Sequence, residues 1–177
     1  MNERNEPKKP GERLIVTSAH LASKQGAGLS EFEFGLNLAN NSFHRWMVQC
    51  MTASGLPDLS PLDIQVLHLI NHRDRSKRLS DLCMLLNIDD THTVSYALRK
   101  LLGLGLIVAV KKGNEKLFKA SASGTKVCLE YREVREQCLV SSLSTIGDSF
   151  SNLHELAKTL RALSGFYDQA ARAAASM

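Results

Sequence analysis

Aromatic residues are scarce in this chain: Phe, Trp and Tyr make up 6% of 177 residues, with a single Trp, against 44% apolar residues in all. A leucine-rich, aromatic-poor balance of this kind supplies the core of a mainly helical protein rather than of a sheet. No apolar run approaches the ~18 residues that a membrane span requires. The polar start, MNERNEPKKPGER, leads only to Leu14, Ile15 and Val16, too short a stretch for the core of a secretory signal. The four cysteines, Cys50, Cys83, Cys128 and Cys138, contain no Cys-x-x-Cys pair. A reduced, cytoplasmic setting is therefore expected. There is no GxSxG, no phosphate loop and no paired Cys/His set, so neither an enzyme nor a cofactor is expected. His68 and His72 stand four apart, but with no adjacent acid and no third ligand they predict no metal site.

What is present is positive charge in one place. The formal net charge is only +4, yet residues 60–126 hold 11 Lys/Arg against 6 Asp/Glu, and the remainder holds 11 against 12. A basic middle third suits nucleic acid, or simply a solvated basic surface.

Residues 1–29 read as a tail, partly disordered, with Gly26-Ala27-Gly28 as a flexible joint. Ser30 and Glu33 form a capping box that opens a helix over 30–55, with Phe32, Leu36, Ala39, Phe43, Met47 and Cys50 as one stripe. Ser60 and Pro61 start a second helix that stops near Asn71. The charged loop HRDRSKR follows. A third helix runs from Ser80 as cap to Leu86, with Leu82, Leu85 and Leu86 inward and Asn87 as a left-handed exit. Asp89 or Asp90 caps a fourth helix over 91–102. Two β-rich runs, 106–110 and 117–120, then flank a Gly113-Asn114 pair that signals a two-residue hairpin. Two helices close the chain. One spans about 125–142 with Val127, Tyr131, Val134 and Cys138 inward; the other spans about 149–174 with Leu153, Leu156, Leu160, Leu163 and Tyr167 inward. Gly147-Asp148 separates them.

The expected fold is mainly α with a small β-hairpin: a winged helix-turn-helix over 59–124, flanked by long helices over 30–55 and 125–175 in one domain, 30–177. On a helical wheel Val94, Ala97, Leu98 and Leu101 of the fourth helix lie within about 60° of one another's centre. The opposite side carries Thr91, His92, Thr93, Ser95, Tyr96, Arg99 and Lys100, with no carboxylate; the acids Asp89 and Asp90 sit at the cap. An ordinary amphipathic helix would place Glu among its outer residues, whereas a helix offered to the major groove needs donors, acceptors and cations. In the hairpin Lys112 faces Glu115 and Lys111 faces Lys116; like charges opposed in this way are unfavourable until a phosphate comes between them. Lys111, Lys112, Asn114 and Lys116 are the candidate wing contacts.

The runs LSPLDIQVLHLI, LSDLCMLLNID and VSYALRKLLGLGLI, with Ser123-Gly124 after the hairpin, resemble the MarR family of winged-helix regulators. The resemblance implies double-stranded DNA as partner, terminal helices that interlock two subunits, and regulation of transcription from a pseudo-palindromic promoter site by a homodimer. A small-molecule effector is a further partner it leaves open, with Phe43, Trp46 and Met47 as candidate lining. The wing departs from the family's Asp-x-Arg pattern, since no Arg occurs from 101 to 131. The alternative is a winged-helix module for protein interaction, or for redox or ligand sensing, with weak or lost DNA binding. Cys50, Cys83 and Cys138 fall on predicted apolar faces, which leaves Cys128 as the more exposed thiol.

Overall fold

The computed structural model describes residues 27–143 and 152–177. The tail over 1–26 and the Gly147-Asp148 joint lie outside the described residues. The first helix, α1, spans Ala27–Ala53. It therefore begins three residues before the expected Ser30 cap. Ser30 is buried within it rather than capping it, and Ala27 and Gly28 are helical rather than part of a joint.

Helix α2 (Pro61–Asn71) starts as its sequence dictates. The Ser60 hydroxyl accepts the Asp63 N–H at 3.2 Å, and the Asp63 carboxylate accepts the Ser60 N–H at 2.8 Å. Two amides that the helix start would otherwise leave unpaired are satisfied reciprocally. Helix α3 (Leu79–Leu86) begins one residue before the expected Ser80 cap, because Asp81 accepts the Arg78 N–H at 2.9 Å. It ends at Asn87, in the left-handed region at φ 53°. Leu82 and Cys83 face the core, whereas Leu85, expected inward, is half exposed. Helix α4 (Thr91–Gly103) is capped by Asp90, whose carboxylate accepts the His92 N–H at 2.9 Å.

Strands β1 (Ile107–Lys112) and β2 (Glu115–Ala120) pair antiparallel in the expected register, Lys112 opposite Glu115 and Lys111 opposite Lys116. Gly113, at φ 63°, takes the first turn position, where a side chain would be strained. Lys77 adds one further rung: it exchanges both backbone hydrogen bonds with Phe118, at 2.9 and 2.8 Å. The basic loop between α2 and α3 is thus tied to the edge of the wing.

Helix α5 (Ala122–Arg135) begins three residues before the expected 125, with Ser121 as its cap. A π-helical turn (Glu136–Val140) and a short α6 (Ser141–Leu143) continue it. The extra residue of the π turn breaks the stripe expected through Val134. Cys138, expected inward, is exposed, while Cys128, expected exposed, is buried among the core residues. Burial pushes the Cys128 thiol up to about 11, which makes it a poor thiolate donor. The last helix, α7 (Leu153–Ala174), has no buried residue; Leu153, Leu156, Leu160 and Tyr167, expected inward, remain exposed in the single chain.

The core joins the elements in one cluster: Met51 of α1, Ile64 and Leu67 of α2, Leu82 of α3, Val94 and Leu101 of α4, Ile107 and Phe118 of the hairpin, and Val127 and Tyr131 of α5. Where the hairpin returns to α5, the Ser121 N–H reaches the Leu106 carbonyl at 3.0 Å and the Ser121 hydroxyl reaches the Gly105 carbonyl at 2.7 Å. Gly124 passes so near that any Cβ on it would overlap the Leu106 carbonyl oxygen, a backbone atom with no room to retreat. Gly124→Ala is expected to lower stability by about 3 kcal/mol or more, read from the urea midpoint, whereas Ser123→Ala changes it little.

Candidate nucleic-acid interface

Four residues of α4 turn inward: Val94, Ala97, Leu98 and Leu101 are essentially inaccessible and pack on α2 and the hairpin. The helix is thereby held with its other side in solvent. Thr91, His92, Thr93, Tyr96 and Arg99 are exposed, and Ser95 is half-buried at the edge. The Thr93 hydroxyl donates to the Asp90 carbonyl at 2.8 Å, so it reinforces the cap as well as lining the outer face. The Arg99 guanidinium lies 5.9 Å from the centre of the Tyr96 ring, close enough for a cation–π contact.

Lys100 departs from expectation. Its Nζ donates to the Asp63 carboxylate at 3.0 Å and to the Asp58 carbonyl. Asp63 is 2% exposed, and burying a carboxylate requires a counter-charge. Lys100 sits at the border of the polar arc, and its stem bends back towards α2 rather than outward. Six of the seven predicted positions thus share the outer face, and the seventh braces the helix from behind.

On the wing, Lys111, Lys112, Asn114 and Lys116 are all exposed. The Lys116 ammonium lies 5.5 Å from the Phe118 ring centre, on the side of the hairpin that faces α4. Between them lies an open cleft of about 420 Å³, lined by His92, Ser95 and Arg99 of α4 and Lys116 and Phe118 of β2. Helix and wing therefore present one continuous polar, cationic surface. Glu115, the single acid of the hairpin, is held by Arg78 at 2.8 Å. Sequence reasoning missed Arg78: the HRDRSKR loop stood out as charged, but only the folded chain brings it beside the wing.

Residues 59–124 match the family model of the winged helix DNA-binding domain. Among solved structures, the chain is similar to NMB1585, a MarR family regulator from Neisseria meningitidis, at 20% identity and a TM-score of 0.63, over 81% of this chain and 95% of that one. The chain is a winged-helix protein of the MarR fold. The regulator BldR from Sulfolobus solfataricus shares this fold at 19% identity and a TM-score of 0.61, over 79% of this chain and 99% of that one. CouR from Rhodococcus jostii RHA1, solved with p-coumaroyl-CoA bound, shares it at 14% identity and a TM-score of 0.61, over 75% and 90%. No curated protein matches the chain. Among the described residues, no helix is long and apolar enough to cross a membrane.

Behind this face of α4 and the wing lies an open cavity of about 870 Å³ between α1, α2 and α5. Phe43, Trp46 and Met47 line one side, as expected, and His68, Arg132 and Arg135 contribute polar atoms on the others. His68 packs edge-on against the Tyr131 ring at 4.6 Å, and its buried Nε2 has no hydrogen-bond partner among the described residues. Burial holds the His68 imidazole below its ordinary value of 6.5, because the charged form would lose its hydration.

Two outcomes are expected. Lys100→Ala leaves the Asp63 carboxylate without its counter-charge and lowers stability by about 1–3 kcal/mol, read by urea unfolding. With pH, the unfolded chain takes a proton at His68 that the folded chain refuses, so folding stability falls as pH drops below about 6.5. Urea midpoints across this range should show a shallower decline in His68→Gln than in the wild type; parallel curves would remove His68 as the cause.

Proposed function

We propose that the chain is a sequence-specific DNA-binding transcriptional regulator that acts as a homodimer on a pseudo-palindromic promoter site in the cytoplasm. The observation that carries this reading is the outer face of α4: Thr91, His92, Thr93, Ser95, Tyr96 and Arg99, without a carboxylate, continuous with the wing that bears Lys111, Lys112, Asn114 and Lys116. With α4 in the major groove, its side chains meet base edges, and the lysines of the wing meet the adjacent backbone. Arg99 is the side chain best placed for a forked contact to guanine or phosphate.

Dimerisation is supported by what the single chain leaves uncovered. Helix α1 exposes Leu29, Leu36, Leu38 and Phe43, and α7 exposes Leu153, Leu156, Leu160 and Phe166. Apolar surface on this scale is ordinarily an interface. Helix α7 is aligned with α1 and α3 by two polar contacts, Tyr167 Oη to Glu33 at 3.0 Å and Asn87 to the Asp168 carboxylate at 3.2 Å. A second copy supplies the missing cover and a second recognition helix, so that half-sites about one helical turn apart are read together.

The cavity against α1, α2 and α5 is the seat for a small-molecule effector. Its walls are α1 and α5 on one side and α2 of the winged helix on the other, so an occupant that favours one spacing shifts the distance between the two recognition helices. The bound acyl-CoA of CouR shows that this fold accommodates such a ligand in that protein.

The test is a salt titration with purified protein and DNA recovered by selection from genomic fragments. The logarithm of the binding constant should fall linearly with that of the salt concentration, and Arg99→Ala should weaken binding by about tenfold or more. Sedimentation should give a dimer that Leu156→Glu with Leu160→Glu converts to a monomer. Weak binding that ignores salt would leave a winged-helix module for protein interaction as the better account.

A further inference from the structure

The loop between α2 and α3 and the outer side of the wing form a second cationic surface, in which Arg75 and Arg78 of the loop join the wing lysines Lys111 and Lys112. The loop carries Arg73, Arg75, Lys77 and Arg78, and they divide their work. Lys77 turns inward: its Nζ donates to the carbonyls of His72 at 3.0 Å and Arg75 at 3.2 Å, and its backbone pairs with Phe118. Lys77 therefore holds the loop in shape against β2. Arg73, in the left-handed region at φ 61°, Arg75 and Arg78 are exposed.

Strand alternation gives the hairpin two faces. Lys116 and Phe118 look towards α4. Val110, Lys112, Glu115 and Leu117 look the other way, into an open cleft of about 1010 Å³ closed on its far side by Arg75, Arg78 and Asp81. Both acids of this cleft are engaged. Glu115 is paired with the Arg78 guanidinium at 2.8 Å, and Asp81 accepts the Arg78 backbone N–H at 2.9 Å. Arg75, Lys111 and Lys112 have no ion-pair partner among the described residues. Val110, exposed, and Leu117, half-buried, supply the aliphatic part of the cleft's lining.

We propose that this cleft binds the phosphate backbone of DNA beyond the half-site, on the side of the wing away from α4. The inference rests on the regulator reading and extends its footprint. Geometry sets the direction. With α4 in the major groove the wing lies over the neighbouring backbone, and a cleft on the wing's far face meets the phosphates that follow. Charge sets the partner: Arg75, Arg78, Lys111 and Lys112 outnumber the two acids of the cleft, Glu115 and Asp81, and a guanidinium fork such as that of Arg75 matches phosphate oxygens. The backbone that carries this fork is held in place by Lys77, whose Nζ donates to the Arg75 carbonyl at 3.2 Å.

The experiment compares wild type, Arg75→Gln and Arg75→Lys, as full chains, on mixed-sequence duplexes of about 20 and about 40 base pairs. The shorter duplex spans two half-sites with little flank. On the longer one Arg75→Gln should bind about tenfold more weakly, and its salt slope should be shallower by about 2, one phosphate for each subunit of the dimer. Arg75→Lys should keep most of the slope, and on the shorter duplex all three proteins should bind alike. The Arg75 side chain is exposed, so melting temperatures should agree and certify the folds. Equal slopes for wild type and Arg75→Gln on the longer duplex overturn this inference and leave the regulator reading standing. Absence of salt-dependent binding by the wild type overturns both. A change in sedimentation of Arg75→Gln with unchanged DNA affinity assigns the cleft to a protein contact and likewise overturns it.

Discussion

A buried carboxylate sets how α4 is presented. Asp63 is 2% exposed, and a charge left unmatched in that position costs stability. Two groups answer it: the Ser60 N–H at 2.8 Å, which belongs to the start of α2, and the Lys100 ammonium at 3.0 Å, which belongs to α4. The first fixes where α2 begins. The second fixes how α4 is turned about its own axis, since Lys100 reaches Asp63 only when Val94, Ala97, Leu98 and Leu101 face α2. His92, Tyr96 and Arg99 are then directed outward as a consequence of a contact made on the other side of the helix. The polar face of α4 is thus oriented by a pair that belongs to the core.

The wing is stabilised by a different device. The Asp-x-Arg pattern that the MarR resemblance implies is missing here, and the hairpin instead leans on residues from before α3. Arg78 holds Glu115, and Lys77 supplies both a backbone rung to Phe118 and an inward ammonium that closes the loop. An exposed ion pair by itself contributes little to stability. Together with a backbone rung it fixes the hairpin on its outer edge, while Phe118 fixes it from within the core. The wing is short, but it is braced on both faces.

Local features of this architecture were legible in the residues, and distant ones were not. The Ser60-Pro61 start, the Asn87 exit, the Asp90 cap and the Gly113-Asn114 hairpin each depend on residues a few positions apart, and each lies where the pattern put it. The inner face of α4 was equally readable, because periodicity alone defines it. Lys100 was misassigned because its partner lies 37 residues away and a wheel contains no partners. Arg75 and Arg78 went unassigned for the same reason: their relation to the wing exists only once Lys77 pairs with Phe118. Cys138 was misplaced because helical phase was carried through a point where the helix changes its pitch, and Cys128, which precedes that point, because the buried face of α5, with Gly124, Val127, Cys128 and Tyr131, is wider than the stripe read from the sequence. The stripe of α7 was legible as a stripe, but its surroundings were not, since a single chain does not contain what would cover it.

That change of pitch reaches further than one thiol. A π turn holds one residue more than the α-helical turn it replaces, so every side chain after Glu136 is rotated relative to an unbroken helix. Cys138, which would have continued the Val127–Tyr131–Val134 row, is turned into solvent, and Leu139 takes its place on the wall of the cavity. The start of the helix, where Gly124 is locked against the Leu106 carbonyl, lies before the π turn and keeps its own phase. The two ends of α5 can therefore diverge independently: the base of the wing is held by one, and the lining of the cavity is composed at the other by a single residue's difference in phase.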